Sequence, residues 1–177
     1  MSGLAHQPKE GTVDSEGSSE VPSKGSANAS QARGRDLTRQ IGQLLFTDRP
    51  AGAEQVVYQA RAVFAHGESS CVAKFADGNT RTVVVPAGVE SLTEQVRAAM
   101  ALPGGGTWFS MKLTMSFWDR ARDIGASADF SFDYDLEPSW ERPVRPSAYV
   151  RDLQDYPRDE DHMPEWLLAR VAEASHQ

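Results

Sequence analysis

The stretch TWFSMKLTMSFW, Thr107 to Trp118, alternates apolar and polar side chains along its length. A period of two is typical of a strand with one buried face, here the face of Phe109, Met111, Leu113, Met115 and Phe117. The stretch ADFSFDYD, Ala128 to Asp135, repeats the pattern with its aromatic side chains inward. The polar residues 119–127 between them predict a loop. The two stretches therefore predict a long hairpin with one apolar face. Helices must cover that face.

The residues before this hairpin predict a helix and then three strands. The helix has an apolar stripe made of Leu37, Ile41, Leu44 and Leu45, and Pro50 helps to end it. Alternation over residues 55–64 predicts a strand, and the HGESS break at 66–70 predicts a turn. Asp77-Gly78 is a hairpin signal, so strands at 68–77 and 80–85 complete an antiparallel meander.

A second helix is predicted between the meander and the hairpin. Ser91-Leu-Thr-Glu94 has the spacing of a capping box, in which both side chains satisfy backbone N–H groups at the start of a helix. Pro103 and three glycines predict its end. The stripe expected to be buried consists of Leu92, Val96, Ala99 and Met100.

The C-terminal part begins as a proline-rich connection and ends as a helix. Pro138, Pro143 and Pro146 argue against a regular strand or helix among them, whereas Met163-Pro-Glu-Trp166 predicts a helix start. Together the segments predict an α+β fold. We expect an antiparallel sheet of about five strands with helices packed on one face.

Composition predicts one domain and its surroundings. Residues 1–34 have almost no large apolar side chain, which predicts a disordered tail before a single domain at 35–174. The single cysteine, Cys71, rules out an internal disulfide and fits a reducing compartment. No apolar run approaches the roughly 20 residues of a membrane span. The N-terminus lacks the apolar core of a signal peptide, so we expect a cytoplasmic protein.

The negative charge is concentrated near the C-terminus. The formal net charge is −7, and residues 133–165 hold ten acids against four arginines, a balance of −6. Such a surface repels nucleic-acid phosphates and attracts basic proteins. Direct nucleic-acid binding is therefore not expected.

The ionisable residues favour a binding protein over an enzyme. The histidines lack the spacing of a zinc site, and Cys71 lacks the local signature of a nucleophile, so we expect no catalytic residue, metal or cofactor. The alternative is a metal-binding or small-molecule domain that uses Asp133 and Asp135. Both would project from one face of a strand, where carboxylates suit a divalent metal or acid–base chemistry. The same pattern is also explained if the two carboxylates are only the solvated face of a half-buried hairpin. A third option for the function is a structural subunit of a larger assembly.

Three aromatic residues near the acids have two interpretations. Trp140 lies between prolines, outside any predicted core pattern, with carboxylates around it. It would either fill the core or anchor an interface, a role in which Trp and Tyr are enriched. Tyr156 and Trp166 have the same two options.

The order of elements and two motifs resemble the YezG-like immunity proteins, also catalogued as a family of unknown function. That family has a Trp-led strand, then an F-x-F-x-Y-D strand running into an acidic, proline-containing segment, and a YPR…P-W element near the C-terminus. The matching motifs here are FSFDYDLEPSW, Phe130 to Trp140, and DLQDYPRDEDHMPEW, Asp152 to Trp166. The resemblance covers roughly Asp36 to Leu168. The long N-terminal tail departs from the family's pattern.

The resemblance implies a cytoplasmic bacterial antitoxin that binds a secreted nuclease toxin and protects the producing cell. A nuclease must hold phosphates and so carries a basic cleft, toward which an acidic surface would be steered. The expected partner is thus a cognate basic toxin, with neither nucleic acid nor membrane involved. The expected partner-binding residues are Asp133, Asp135, Glu137, Trp140, Asp152, Asp155, Tyr156, Asp159, Glu160 and Asp161.

Overall fold

A computed structural model describes residues 24–120 and 123–176. These residues form four α-helices, one 3₁₀ turn and one sheet whose five strands pair antiparallel in the order β3-β2-β1-β4-β5. The predicted α+β fold is confirmed. The elements are α1 Lys24–Thr47, β1 Ala53–Val63, β2 His66–Phe75, β3 Thr80–Val83, α2 Val89–Ala99, β4 Ser110–Arg120, β5 Asp123–Asp133, α3 Pro146–Asp155, the 3₁₀ turn Glu160–His162 and α4 Glu165–Ala174.

The main core lies between one face of the sheet and helices α1 and α2. Ile41 of α1, Tyr58 of β1 and Leu113 of β4 are fully buried there. Burial of such a side chain contributes about 1.5–3 kcal/mol relative to its exposure. The Tyr58 hydroxyl lies 3.0 Å from Thr93 Oγ1, which gives the one polar atom of that ring a partner inside the core. The predicted inward face of α1 is confirmed, and that of the β4–β5 hairpin is confirmed from Met111 onward.

A second apolar cluster lies at the end of the sheet, where α3 and α4 pack. Its buried members are Val63, Phe109, Tyr149 and Leu167. Alternation along β1 puts Val63 on the face opposite Tyr58. The prediction that Phe109 shares the face of Met111 is wrong, because β4 begins only at Ser110. The Phe109 carbonyl instead accepts the Ala62 N–H at 3.0 Å, and its ring turns toward α4.

The two N-terminal helices begin earlier than predicted. The predicted tail spans 1–34, of which 1–23 lie outside the described residues, but the chain is helical from Lys24. Ala, Gln and Arg are good helix formers and extend the helix backward from its buried stripe. The predicted capping box is wrong, because α2 begins at Val89 after Gly88 and therefore contains Ser91 in its interior.

Two predicted irregular regions are regular in the structure. The HGESS residues belong to β2, and the turn lies one step earlier, at Phe64 and Ala65, where Phe64 has a φ of 44°. Most of the predicted loop 119–127 continues the hairpin, since β4 and β5 pair as far as Arg120 and Asp123. The proline-rich connection also contains a helix that the sequence analysis missed. Pro146 lies in the first turn of α3, where its missing N–H has no helical partner to lose.

Cys71 is a buried thiol. It is 1% exposed in the main core, and burial raises its pKa to about 11. We expect this thiol to react with a disulfide reagent at pH 8 at least 100-fold more slowly in the native protein than in urea, because the thiolate is the nucleophile. Absorbance of the released thiol measures both rates. Comparable rates would contradict the burial of Cys71.

Candidate protein-interaction surface

A buried ion pair joins helix α2, helix α3 and the β1–β2 turn. Arg97 Nη2 of α2 lies 2.9 Å from Asp152 Oδ2 of α3, and the two side chains are only 6% and 5% exposed. Arg97 Nε also donates to the Trp108 carbonyl at 3.0 Å. Asp152 Oδ1 accepts the backbone N–H of Phe64 in the β1–β2 turn. Asp152 is therefore not on the partner-binding surface where the sequence placed it, because both of its oxygens are used inside the protein.

Arg158 fixes the segment between α3 and α4. Its side chain is 2% exposed and donates to the Thr107 carbonyl at 2.7 Å and the His162 carbonyl at 3.1 Å. Its guanidinium carbon lies 4.7 Å from the centre of the Phe109 ring. Burial lowers the pKa of Arg158, while nearby Asp135 raises it. The one basic residue between Asp155 and Asp161 thus points inward and leaves the carboxylates around it at the surface.

The glycine turn 104–106 holds the same segment from the other side. Asp159 N–H donates to the Gly104 carbonyl at 2.7 Å, and Gly106 N–H donates to the Pro157 carbonyl at 3.1 Å. Gly104 and Gly106 both have a φ of +67°, a conformation that favours glycine. The glycines that the sequence analysis assigned to helix termination therefore also make room for the chain after α3.

Gly106→Ala is expected to lower the free energy of unfolding by about 2–3 kcal/mol, because it adds strain and overpacking. A Cβ on Gly106 would lie 2.7 Å from Arg158 Cγ. Gly78→Ala is the matched control, since Gly78 has a φ of +82° but open space around it, and should cost about 1 kcal/mol. Urea unfolding compares the two variants. Equal losses would show that the contact with Arg158 carries no weight.

The Asp133/Asp135 pair does not have the predicted geometry. β5 ends at Asp133, and Asp135 lies in the turn that follows, so the two are not on one strand. Asp133 Oδ1 accepts the backbone N–H groups of Asp135 at 3.0 Å and Leu136 at 2.8 Å. Among the described residues no group of three or more His, Cys, Asp or Glu side chains is placed to hold a metal. The Asp133 carboxylate therefore stabilises the end of β5.

The three aromatic residues with two interpretations all pack against the protein. Trp140 Nε1 donates to the Tyr149 hydroxyl at 2.9 Å, and its ring meets His66 edge-on at 5.0 Å. Trp166 Nε1 donates to the Asp135 carbonyl at 2.6 Å. Tyr156 is half-buried, with its ring centre 5.0 Å from the Arg97 guanidinium carbon. Trp140 and Tyr156 are therefore not free anchors, since the second cluster and the ion pair hold them.

The remaining predicted partner-binding residues are exposed acids. Glu137 is held by Arg170, whose Nη2 lies 2.7 Å from Glu137 Oε1. The other exposed carboxylates occupy the turn after β5 and the chain from the end of α3 through the 3₁₀ turn, and we call these five the acidic surface: Asp135, Asp155, Asp159, Glu160 and Asp161. Because its charges share one sign, this surface can attract a cationic partner.

Sequence reasoning missed Glu68, which joins β2 to the proline-rich connection. Its carboxylate accepts the N–H groups of Glu141 at 2.9 Å and Arg142 at 3.0 Å, and Arg61 Nη1 lies 3.3 Å away. These partners are either local or more than 70 residues distant, so no spacing in the sequence signals them. Burial raises the pKa of Glu68, but the two backbone N–H groups and His66 outweigh burial and hold the pKa below its ordinary value.

Glu68 makes stability depend on pH in a defined direction. Because its folded-state pKa is lowered, its contribution is complete above about pH 4.5, the ordinary pKa, and is lost as pH falls through the lower folded-state value. Glu68→Gln should cost about 1–2 kcal/mol at pH 7 and much less at pH 3. Urea unfolding of both proteins at the two pH values measures this difference. A constant difference would contradict the role of the carboxylate.

No helix among the described residues is long and apolar enough to cross a membrane. Comparison with protein-family models and with curated proteins gives no match for this chain.

Proposed function

We propose that this protein is an immunity protein that binds a basic toxin, a nuclease in the simplest case, through the acidic surface. The observation that carries the proposal is how the charged side chains around Arg158 are arranged. The carboxylates from Asp155 to Asp161 are exposed, whereas the one arginine among them is buried and bound to backbone carbonyls. Arg158 Nη1 lies 3.9 Å from Asp135 Oδ1 and pairs with that carboxylate, so among the described residues Asp155, Asp159, Glu160 and Asp161 present negative charge without an ion-pair partner.

Pre-organisation supports the same proposal. The acidic surface is flanked by the Arg97–Asp152 pair and by the backbone hydrogen bonds of the glycine turn. A partner would meet a backbone that is already in place, so less loop entropy is lost on binding. Fixed charges of one sign also steer an oppositely charged partner and speed association at low salt. The proposed inhibitor needs position and charge, and no catalytic group.

The resemblance to YezG-like immunity proteins adds the biological setting. In that setting the partner is a secreted nuclease toxin, and the protein acts in the cytoplasm of the producing cell. The motif from Asp152 to Trp166 that carries much of the resemblance includes most of the acidic surface. The metal-binding alternative has no comparable support, because Asp133 Oδ1 is committed to two backbone N–H groups.

The test begins with the reading frames next to the gene. We expect one of them to encode a large secreted protein with a nuclease-like C-terminal domain. Cells that express this domain should lose viability and recover when the full-length protein is co-expressed. Absence of such a frame, or death despite co-expression of folded protein, would overturn the proposal.

A further inference from the structure

The outer edge of β5 has no strand beside it in the described part of the chain. β5 is the last strand in the sheet order and is 11 residues long. An edge strand presents backbone N–H and C=O groups to which another extended segment can pair. The opposite edge, β3, is only four residues long and offers much less.

The face of β5 toward α1 is incompletely covered. On this face Ile124 is 64% exposed, whereas Phe130, and Tyr134 just after the strand, are half-buried. Two cavities of about 560 and 790 Å³ lie between α1 and this face, and both are lined by Arg35, Thr38 and Phe130. Apolar side chains from one more strand would extend under α1 and fill this space.

The other face of β5 is acidic. Alternation places Asp123, Asp129 and Asp133 on the side away from α1. Cross-strand neighbours on one face of a sheet lie close enough for opposite charges to stabilise the pair. A strand beside β5 would therefore place one set of side chains in the apolar space and the alternate set opposite carboxylates.

We infer that the edge of β5 binds an extended segment of another protein that alternates apolar and basic residues. Backbone pairing would supply affinity, and the two faces would supply specificity. This is a second interaction surface, which adjoins the acidic surface only where β5 ends at Asp133, and it does not depend on the identity of the proposed toxin.

Two other occupants fit the edge less well. Antiparallel pairing of two copies of β5 about Ala128 would place Asp123 opposite Asp133 twice, and like charges opposite each other are destabilising. The chain's own residues 1–23 contain few large aliphatic side chains, at Leu4, Val13 and Val21, and do not alternate apolar with basic residues. Charge and pattern thus favour a basic strand from a different protein.

The probe is a synthetic nine-residue peptide that alternates Lys and Val, added to the full-length protein. The comparison peptide has the same composition in two blocks, five Lys then four Val. We expect the alternating peptide to bind at least 10-fold more tightly by fluorescence anisotropy. Amide hydrogen exchange should slow in β5, around Ser127 to Asp129, and stay unchanged in β3. Equal binding of the two peptides, or slowed exchange only outside β5, would overturn the inference.

Variants exclude the remaining explanations. Asp129→Lys, an exposed change on the acidic face, should weaken binding of the alternating Lys-Val peptide several-fold, whereas Glu54→Lys, exposed on β1, should not. If both variants weaken binding equally, general charge attraction explains the result and the inference fails. If deletion of residues 2–23 raises affinity 10-fold or more, the chain's own tail occupies the edge and the proposed partner is wrong. Because no toxin is used, none of these failures bears on the immunity function.

Discussion

Asp152→Ala is expected to lower the free energy of unfolding by about 3–5 kcal/mol, because it leaves a buried arginine without its partner. Arg97 is 6% exposed in its side chain and would keep hydrogen bonds only to the Trp108 carbonyl. The substitution also removes the acceptor for the Phe64 N–H, which fixes the β1–β2 turn. One side chain thus connects α2, α3 and the sheet.

Two further variants separate charge from packing in this prediction. Asp155→Ala, one turn further along α3 and exposed, should change stability by less than about 0.5 kcal/mol. Replacing both partners, Arg97→Met with Asp152→Leu, should cost less than Asp152→Ala alone, since no unpaired charge remains. Urea unfolding monitored by tryptophan fluorescence gives all three values. A loss below about 1 kcal/mol for Asp152→Ala would contradict the assigned role of the ion pair.

Leu167→Ala is expected to cost about 2–5 kcal/mol, since it opens a cavity at the centre of the second cluster. Leu167 is fully buried against Val63, Phe109 and Tyr149. Without that contact, α4 loses much of what packs it against the sheet.

Leu168→Ala is the control for this second prediction. Leu168 is the next residue of the same helix and is 50% exposed, so its truncation should cost less than about 1 kcal/mol. Urea unfolding compares the two variants, and hydrogen exchange of α4 amides locates the effect. Similar losses for both would mean that α4 is not docked through Leu167.

The sequence predicted the fold well where a single periodic pattern sets the burial. The hairpin of β4 and β5 follows from alternation, and the structure confirms its inward face from Met111 onward. The stripe of α1 follows from the helical period, and the structure confirms it too. The ends of elements were harder to predict, because tertiary contacts decide them. The start of α2 depends on Gly88 and not on Ser91, and Phe109 leaves its expected face when the chain enters β4.

From the sequence, the candidate site could be predicted only as a segment rich in acidic residues. The sequence showed where acidic residues are concentrated, but it could not separate exposed carboxylates from those used inside the protein. Asp152 is paired with a residue 55 positions away, and Glu68 with backbone groups more than 70 positions away. Such partners leave no local spacing. The same limit explains why the sequence left two interpretations for Trp140. Its hydrogen bond to Tyr149 shows that it packs against the protein.

The central claim is the proposal that the acidic surface binds a basic protein. Its most direct measurement is the affinity for the toxin domain that we propose is encoded beside the gene, with Asp155, Glu160 and Asp161 changed together to Lys. We expect a loss of about 10- to 100-fold at low salt and a weaker salt dependence. The matched control changes the exposed acids Asp48, Glu54 and Asp119 to Lys and should retain affinity within about threefold. Equal effects of the two triple variants, or no effect of the first, would contradict the claim.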